Sequence, residues 1–117
     1  MTRIQGHVPH HAVVNLTALA AELLEEARKH PARRTARTVA ASTSQRATLI
    51  VALDGAELAE HDAPAAATLH VLSGRVRLRT ADHEWDIEEG ELFPVPPERH
   101  GVVALADAVF LLTVALR

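Results

Sequence analysis

The spacing of apolar residues changes near residue 31. In "NLTALAAELLEEARKH", Leu16, Leu19, Ala20, Leu23, Leu24 and Ala27 recur at steps of three and four, which predicts one amphipathic helix over residues 15–30. Asn15 is placed to cap its start, and Pro31, which has no amide to donate, is placed to end it. From residue 35 the spacing becomes two. "TARTVAAS" predicts a strand and "RATLIVAL" (46–53) a stronger one, with Ala47, Leu49, Val51 and Leu53 on one face and Arg46 and Thr48 on the other. Ile50 and Ala52 make that second face partly apolar. Further strands are predicted in "ATLHVL", "RVRLRT", "EWDI", "ELFPV", "HGVVAL" and "AVFLLTVAL", separated by the turns "SG", "ADH", "EEG", "PPER" and "AD".

No helix-length segment separates these strands, so they predict an antiparallel all-β sandwich or barrel and not a βαβ sheet. The division expected is an N-terminal arm and helix over residues 1–34 and a β-domain over residues 35–117. The leucine stripe of the helix needs a surface, either the outside of the sheet or another subunit, and a homodimer is the expected assembly.

Composition narrows the functional classes. At 117 residues the chain is one domain; 48% of it is apolar and only 3% aromatic, so its core is built from Ala, Val and Leu. A protein that reads nucleic acid by base stacking would carry more rings. The net charge of −3 points the same way, and the one dense basic run, "PARRTAR", follows the acidic "ELLEE" and reads as a solvated face with salt bridges. Arg75, Arg77 and Arg79 alternate with Val76 and Leu78, and their side of the strand is expected to meet water. No apolar run approaches the ~20 residues of a membrane span, and the first residues lack the apolar core of a signal peptide. A cytoplasmic protein with neither a nucleic-acid nor a membrane partner is therefore expected.

With no cysteine, any metal must be held by His, Asp or Glu. His61 and His70 flank a loop of small residues, and His100 follows Pro96 and Pro97. His7 and His11, in "HVPHH", surround Pro9 and read as surface residues. Glu57, Glu60 and Asp62 lie at a strand edge, where solvation is the cheaper arrangement, and Trp85 is expected to be at least partly buried. Neither a nucleophile elbow nor a Gly-rich phosphate loop is present.

The glycine spacings add a resemblance. Gly55, five residues, His61 and later Gly74 follow one motif of the cupin superfamily, while Ala63 and Ala67 stand where that motif has its second His and its Glu. Gly90 and Pro96 follow the second motif, with Glu98 in place of its glycine and His100 one residue early. With "VLSGRVRL" and "EEGELFPVPPERH", residues 45–117 resemble small single-domain bacterial cupins. The resemblance implies an antiparallel jelly-roll β-barrel whose interior holds a divalent transition metal (Zn, Fe, Mn or Ni) on His and carboxylate ligands. His61 and His100 match two of the four ligand positions, and His70 is the nearest third nitrogen, although strand parity turns it away from Leu69 and Val71. His61 and His100 are expected to face one cavity, widened by Ala63 and Ala67. The function expected is a small-molecule-binding or sensing domain, with or without a loosely held metal. The alternatives are a metal-dependent enzyme of dioxygenase, isomerase or decarboxylase type, or a structural or interaction protein filled with aliphatic side chains.

Overall fold

The computed structural model describes residues 12–62 and 66–116. His7 and His11, and the loop residues Ala63 and Pro64, lie outside the described residues. Helix α1 (Leu16–Lys29) starts at Asn15, whose Oδ1 accepts the Ala18 amide at 3.0 Å, and stops at His30, immediately before Pro31. Nine strands follow among the described residues: β1 (Arg34–Ala41), β2 (Gln45–Ala52), β3 (Glu57–His61), β4 (Ala67–Ser73), β5 (Arg75–Arg79), β6 (Glu84–Glu88), β7 (Leu92–Pro94), β8 (His100–Ala104) and β9 (Ala108–Ala115). They form two antiparallel sheets, a five-stranded one in the order β1-β2-β9-β4-β7 and a four-stranded one in the order β3-β8-β5-β6.

Strand β2 explains how the layers stack. Its partly apolar second face, Ile50 and Ala52, is buried between the sheets with Leu69, Val71, Val76, Leu78, Ile87, Val102 and Phe110. Its other face, Leu49 and Val51, is buried with Leu23 and Ala27 of α1. The helix therefore covers the outside of the five-stranded sheet, where its own chain offers the surface that the leucine stripe requires. Thr35 Oγ1 donates to the Leu23 carbonyl at 2.8 Å, and Arg37 pairs with Glu26 at 3.2 Å, fastening β1 beneath the helix. That pair is part of the basic run read as salt-bridged.

The closed jelly-roll barrel expected from the sequence does not form. Among the described residues no backbone ladder joins the two sheets, and they form an open two-layer sandwich. One cause is the length and chemistry of the edge strands. β7 spans three residues and ends in Pro94, which has no amide to extend a ladder toward β6. Side chains close the gap there: Trp85 of β6, half-buried, lies against Phe93 of β7 with ring centroids 5.1 Å apart. On the opposite side, Arg34 Nε of β1 donates to the Glu57 carbonyl of β3 at 2.9 Å, again in place of a ladder.

The turn between β4 and β5 depends on Gly74. Its φ is +80°, and an added Cβ would sit 2.2 Å from the Asp107 carbonyl oxygen and 2.8 Å from Ala108 Cα. Gly90 has a similar φ of +84° but open space around it. Gly74→Ala is expected to destabilise the protein by about 2–5 kcal/mol, since backbone strain and backbone collision add. Gly90→Ala, with strain alone, should lose about 1–2 kcal/mol. Urea unfolding of the two variants checks this, and equal losses would contradict the collision at Gly74.

Candidate functional site

The structure brings two of the candidate histidines together. His61, the last residue of β3, is the ladder partner of His100, the first residue of β8. Their rings meet edge to face, with centroids 4.5 Å apart. A β-bulge makes the meeting possible. Leu58 pairs with Val102 and His61 with His100, so three steps along β3 match two along β8. Without the extra residue, Leu58 and His61 would face opposite sides; with it, both face the side on which Val102 is buried.

His100 is 3% exposed, one of two buried polar residues among those described, and His61 is the exposed partner over it. Each ring donates its Nδ1–H to a backbone carbonyl two residues earlier, His61 to Ala59 at 3.1 Å and His100 to Glu98 at 2.8 Å. In the neutral rings the Nε2 lone pairs are then left as acceptors.

His70 lies elsewhere. Its neighbours in β4, Leu69 and Val71, are in the core between the sheets, whereas its ladder partner in β9, Leu111, packs in the cluster beneath the helix. By alternation, His70 is on the outer face of the five-stranded sheet. The nearby carboxylates are also engaged: Arg99 pairs with Glu60 at 3.4 Å and with Asp62 at 3.2 Å. Among the described residues no group of three or more His, Asp or Glu side chains is arranged to hold a metal ion. The metal-binding character expected from the sequence is corrected accordingly. Two imidazoles converge where a resident ion needs more ligands, and aliphatic side chains occupy the space between the sheets, so the residues do not fit the metal that the resemblance implies.

The arginines of β5 face acids across the ladder, and two of the three are paired with them. Arg75, Arg77 and Arg79 stand opposite Glu88, Asp86 and Glu84 of β6. Arg77 grips Asp86 through two hydrogen bonds, Nε to Oδ1 at 2.7 Å and Nη2 to Oδ2 at 3.1 Å, and Arg79 pairs with Glu84 at 3.5 Å. The hydrogen bond and charge of Asp86 raise Arg77 above its ordinary value, and the same hydrogen bond holds Asp86 below the usual carboxylate range. The acidic alternation of "EWDIE" was a visible sign of this match. Arg34 and Arg99, by contrast, carry no such sign of their partners, because nothing in their neighbouring residues reveals which strand they reach.

No family model and no curated protein matches the chain. Solved structures do. The conserved protein of unknown function SPY1581 from Streptococcus pyogenes aligns with a TM-score of 0.72 at 21% identity, covering 100% of this chain and 96% of that one. A cupin superfamily protein from Desulfitobacterium hafniense aligns at 0.67 and 16% identity, over 72% of this chain and 78% of its own. KdgF from Halomonas sp. aligns at 0.65 and 21% identity, over 75% and 83%. These likenesses show that the chain has a cupin-type fold.

The Arg77–Asp86 pair gives a pH dependence with a definite sign. Because the folded-state value of Asp86 is depressed, its contribution to stability is present above the unfolded carboxylate pKa of about 3.9 and is lost as pH falls through the lower folded value. Asp86→Asn is therefore expected to flatten the loss of stability on acidification below about pH 4. Urea midpoints of both proteins across that range check it, and parallel curves would contradict it.

Proposed function

We propose that the chain is an interaction domain of cupin-type fold, independent of metal, that pairs with a second copy of itself through the outer face of the five-stranded sheet. The observation that carries this reading is an uncharged face next to the helix. The helix packs mainly on β1 and β2, with Leu72 of β4 and Val109 and Leu111 of β9 at the margin of the same cluster, which leaves the Thr113 end of β9, the Thr68 end of β4, and β7 beyond it. One ladder row runs outward from Leu111, at the margin of the helix cluster, through His70 to Leu92, which is 57% exposed. The next row runs Thr113, Thr68, Pro94 and borders a groove of about 720 Å³. None of the residues lining that groove carries a charge. Such a surface meets its own copy across a two-fold axis without burying an unpaired ion. The filled interior supports the same reading, since the core between the sheets is aliphatic apart from a few rings.

A second reading is favoured by one specific observation. The unengaged Nε2 atoms of His61 and His100, 4.5 Å apart by ring centroid, suit a small ligand bearing hydroxyl or amide donors. That ligand would perturb both imidazole resonances without changing the oligomeric state.

Light scattering at tens of micromolar is expected to return twice the 12.6 kDa chain mass. Leu92→Arg combined with Thr113→Arg should return a single chain with an unchanged circular dichroism spectrum. A monomeric natural protein would overturn the pairing. Protein purified without a histidine tag is expected to carry well under one equivalent of Zn, Fe, Mn or Ni. A full equivalent lost in His61→Ala or His100→Ala would instead support the metal-dependent enzyme.

A further inference from the structure

The open side of the sandwich, where β1 and β3 face each other without a ladder, carries a second cavity. It has a volume of about 340 Å³, and its lining includes Glu26 from α1, His30 at the cap that follows it, Arg34 and Ala36 from β1, and Ile50 and Leu58 from the core. Buried Ile50, 5% exposed, lies at its base, and the partly buried Leu58 packs on the same core cluster. An apolar floor is thus ringed by polar groups, the usual composition of a small-molecule site, and the volume lies near the lower end of the usual range.

The charges around the cavity do not cancel. Glu26 is held by Arg37 at 3.2 Å. Arg34, half-buried, spends its Nε on the Glu57 carbonyl at 2.9 Å, and among the described residues it makes no ion pair. Its two terminal nitrogens remain as charged donors. His30 accepts the Ala32 amide on Nδ1 at 3.0 Å, which puts the proton of the neutral ring on Nε2 and makes that atom a donor as well. An inward charge on an edge strand also protects the edge from pairing with another chain. That role accounts for a charge at Arg34, but not for the apolar floor beside it.

We infer that this cleft binds a small monocarboxylate with an apolar body, the carboxylate on Arg34 and His30 and the body on Ile50 and Leu58. The ligand is limited to one negative charge. Arg34 is the one Arg or Lys among the residues lining the cleft, so a second negative charge meets no further cation there. The site is separate from the His61–His100 pair, which lies at the far end of β3, and does not depend on the pairing of two chains.

Amide-resolved NMR titration of the full chain with hexanoate and benzoate tests the inference, with hexanol and succinate as the uncharged and dianionic controls. Both monocarboxylates are expected to give saturable shifts at Thr35, Ala36 and Leu58, and both controls to bind at least about tenfold more weakly. Arg34→Gln should weaken hexanoate by about tenfold or more, the usual consequence of losing a charge-assisted hydrogen bond. Because Arg34 also bridges the sheets, Ala36→Leu provides a second arm: it fills the cleft from an exposed position, leaves the guanidinium in place, and should abolish the shifts. Absence of saturation in the natural protein would overturn the inference. So would hexanoate affinity retained in folded Arg34→Gln or in Ala36→Leu, or shifts centred on His61 or the β5 arginines.

Discussion

Burial of β2 on both faces is the constraint on which the remaining structure depends. Leu49 and Val51 are sealed by α1, while Ile50 and Ala52 are sealed by the second sheet. Each fully buried Leu, Ile or Val contributes about 1.5–3 kcal/mol relative to exposure, so four consecutive buried positions leave little freedom in how the strand is placed. A one-residue slip of β2 against β1 or β9 would exchange the two faces, setting residues shaped for the helix against the second sheet. The helix position, the ladder rows of the large sheet and the thickness of the core all follow from that fixed register.

The sandwich stays open because its edges are finished by side chains. On one side Trp85 and Phe93 pack across the gap, and on the other Arg34 reaches the backbone of β3. Openness places the cleft at the β1 and β3 edges, where core residues lie at its base beside a guanidinium. The bulge in β3 acts at the other end of the same strand, turning His61 onto His100. Their contact is a converging pair, while the acids beside it belong to Arg99. The chemistry of a metal centre needs additional donors, and the strand that carries His70 aims it through the opposite face of the sheet.

The two outer faces differ electrostatically. On the four-stranded sheet, arginines of β5 alternate with hydrophobic core residues and stand opposite acids of β6, with Arg77 and Arg79 paired to Asp86 and Glu84 along a surface that remains hydrated. On the five-stranded sheet, the rows beyond the helix are Thr, Leu, His and Pro. Desolvating the first face means stripping water from ions, and desolvating the second does not. That contrast distinguishes a surface built for solvent from one suited to association.

The sequence by itself determined the local elements. The helix and its Asn15 cap, the end before Pro31, most of the strands and the two-sided character of Ile50 and Ala52 were all legible, because periodicity and capping are properties of neighbouring residues. Two glycine-anchored spacings also singled out His61 and His100. Strand β3 was visible only as an edge, since "ELAEH" lacks clean alternation, and its bulge left no mark in the residues. Tertiary structure alone decided that the sheets do not close, that the β5 arginines face the β6 acids, that Arg34 spans from β1 to β3, and that His70 stands on a different face from His61 and His100. These outcomes depend on which strands meet and in what register, and those contacts join residues far apart in the chain that no local pattern records.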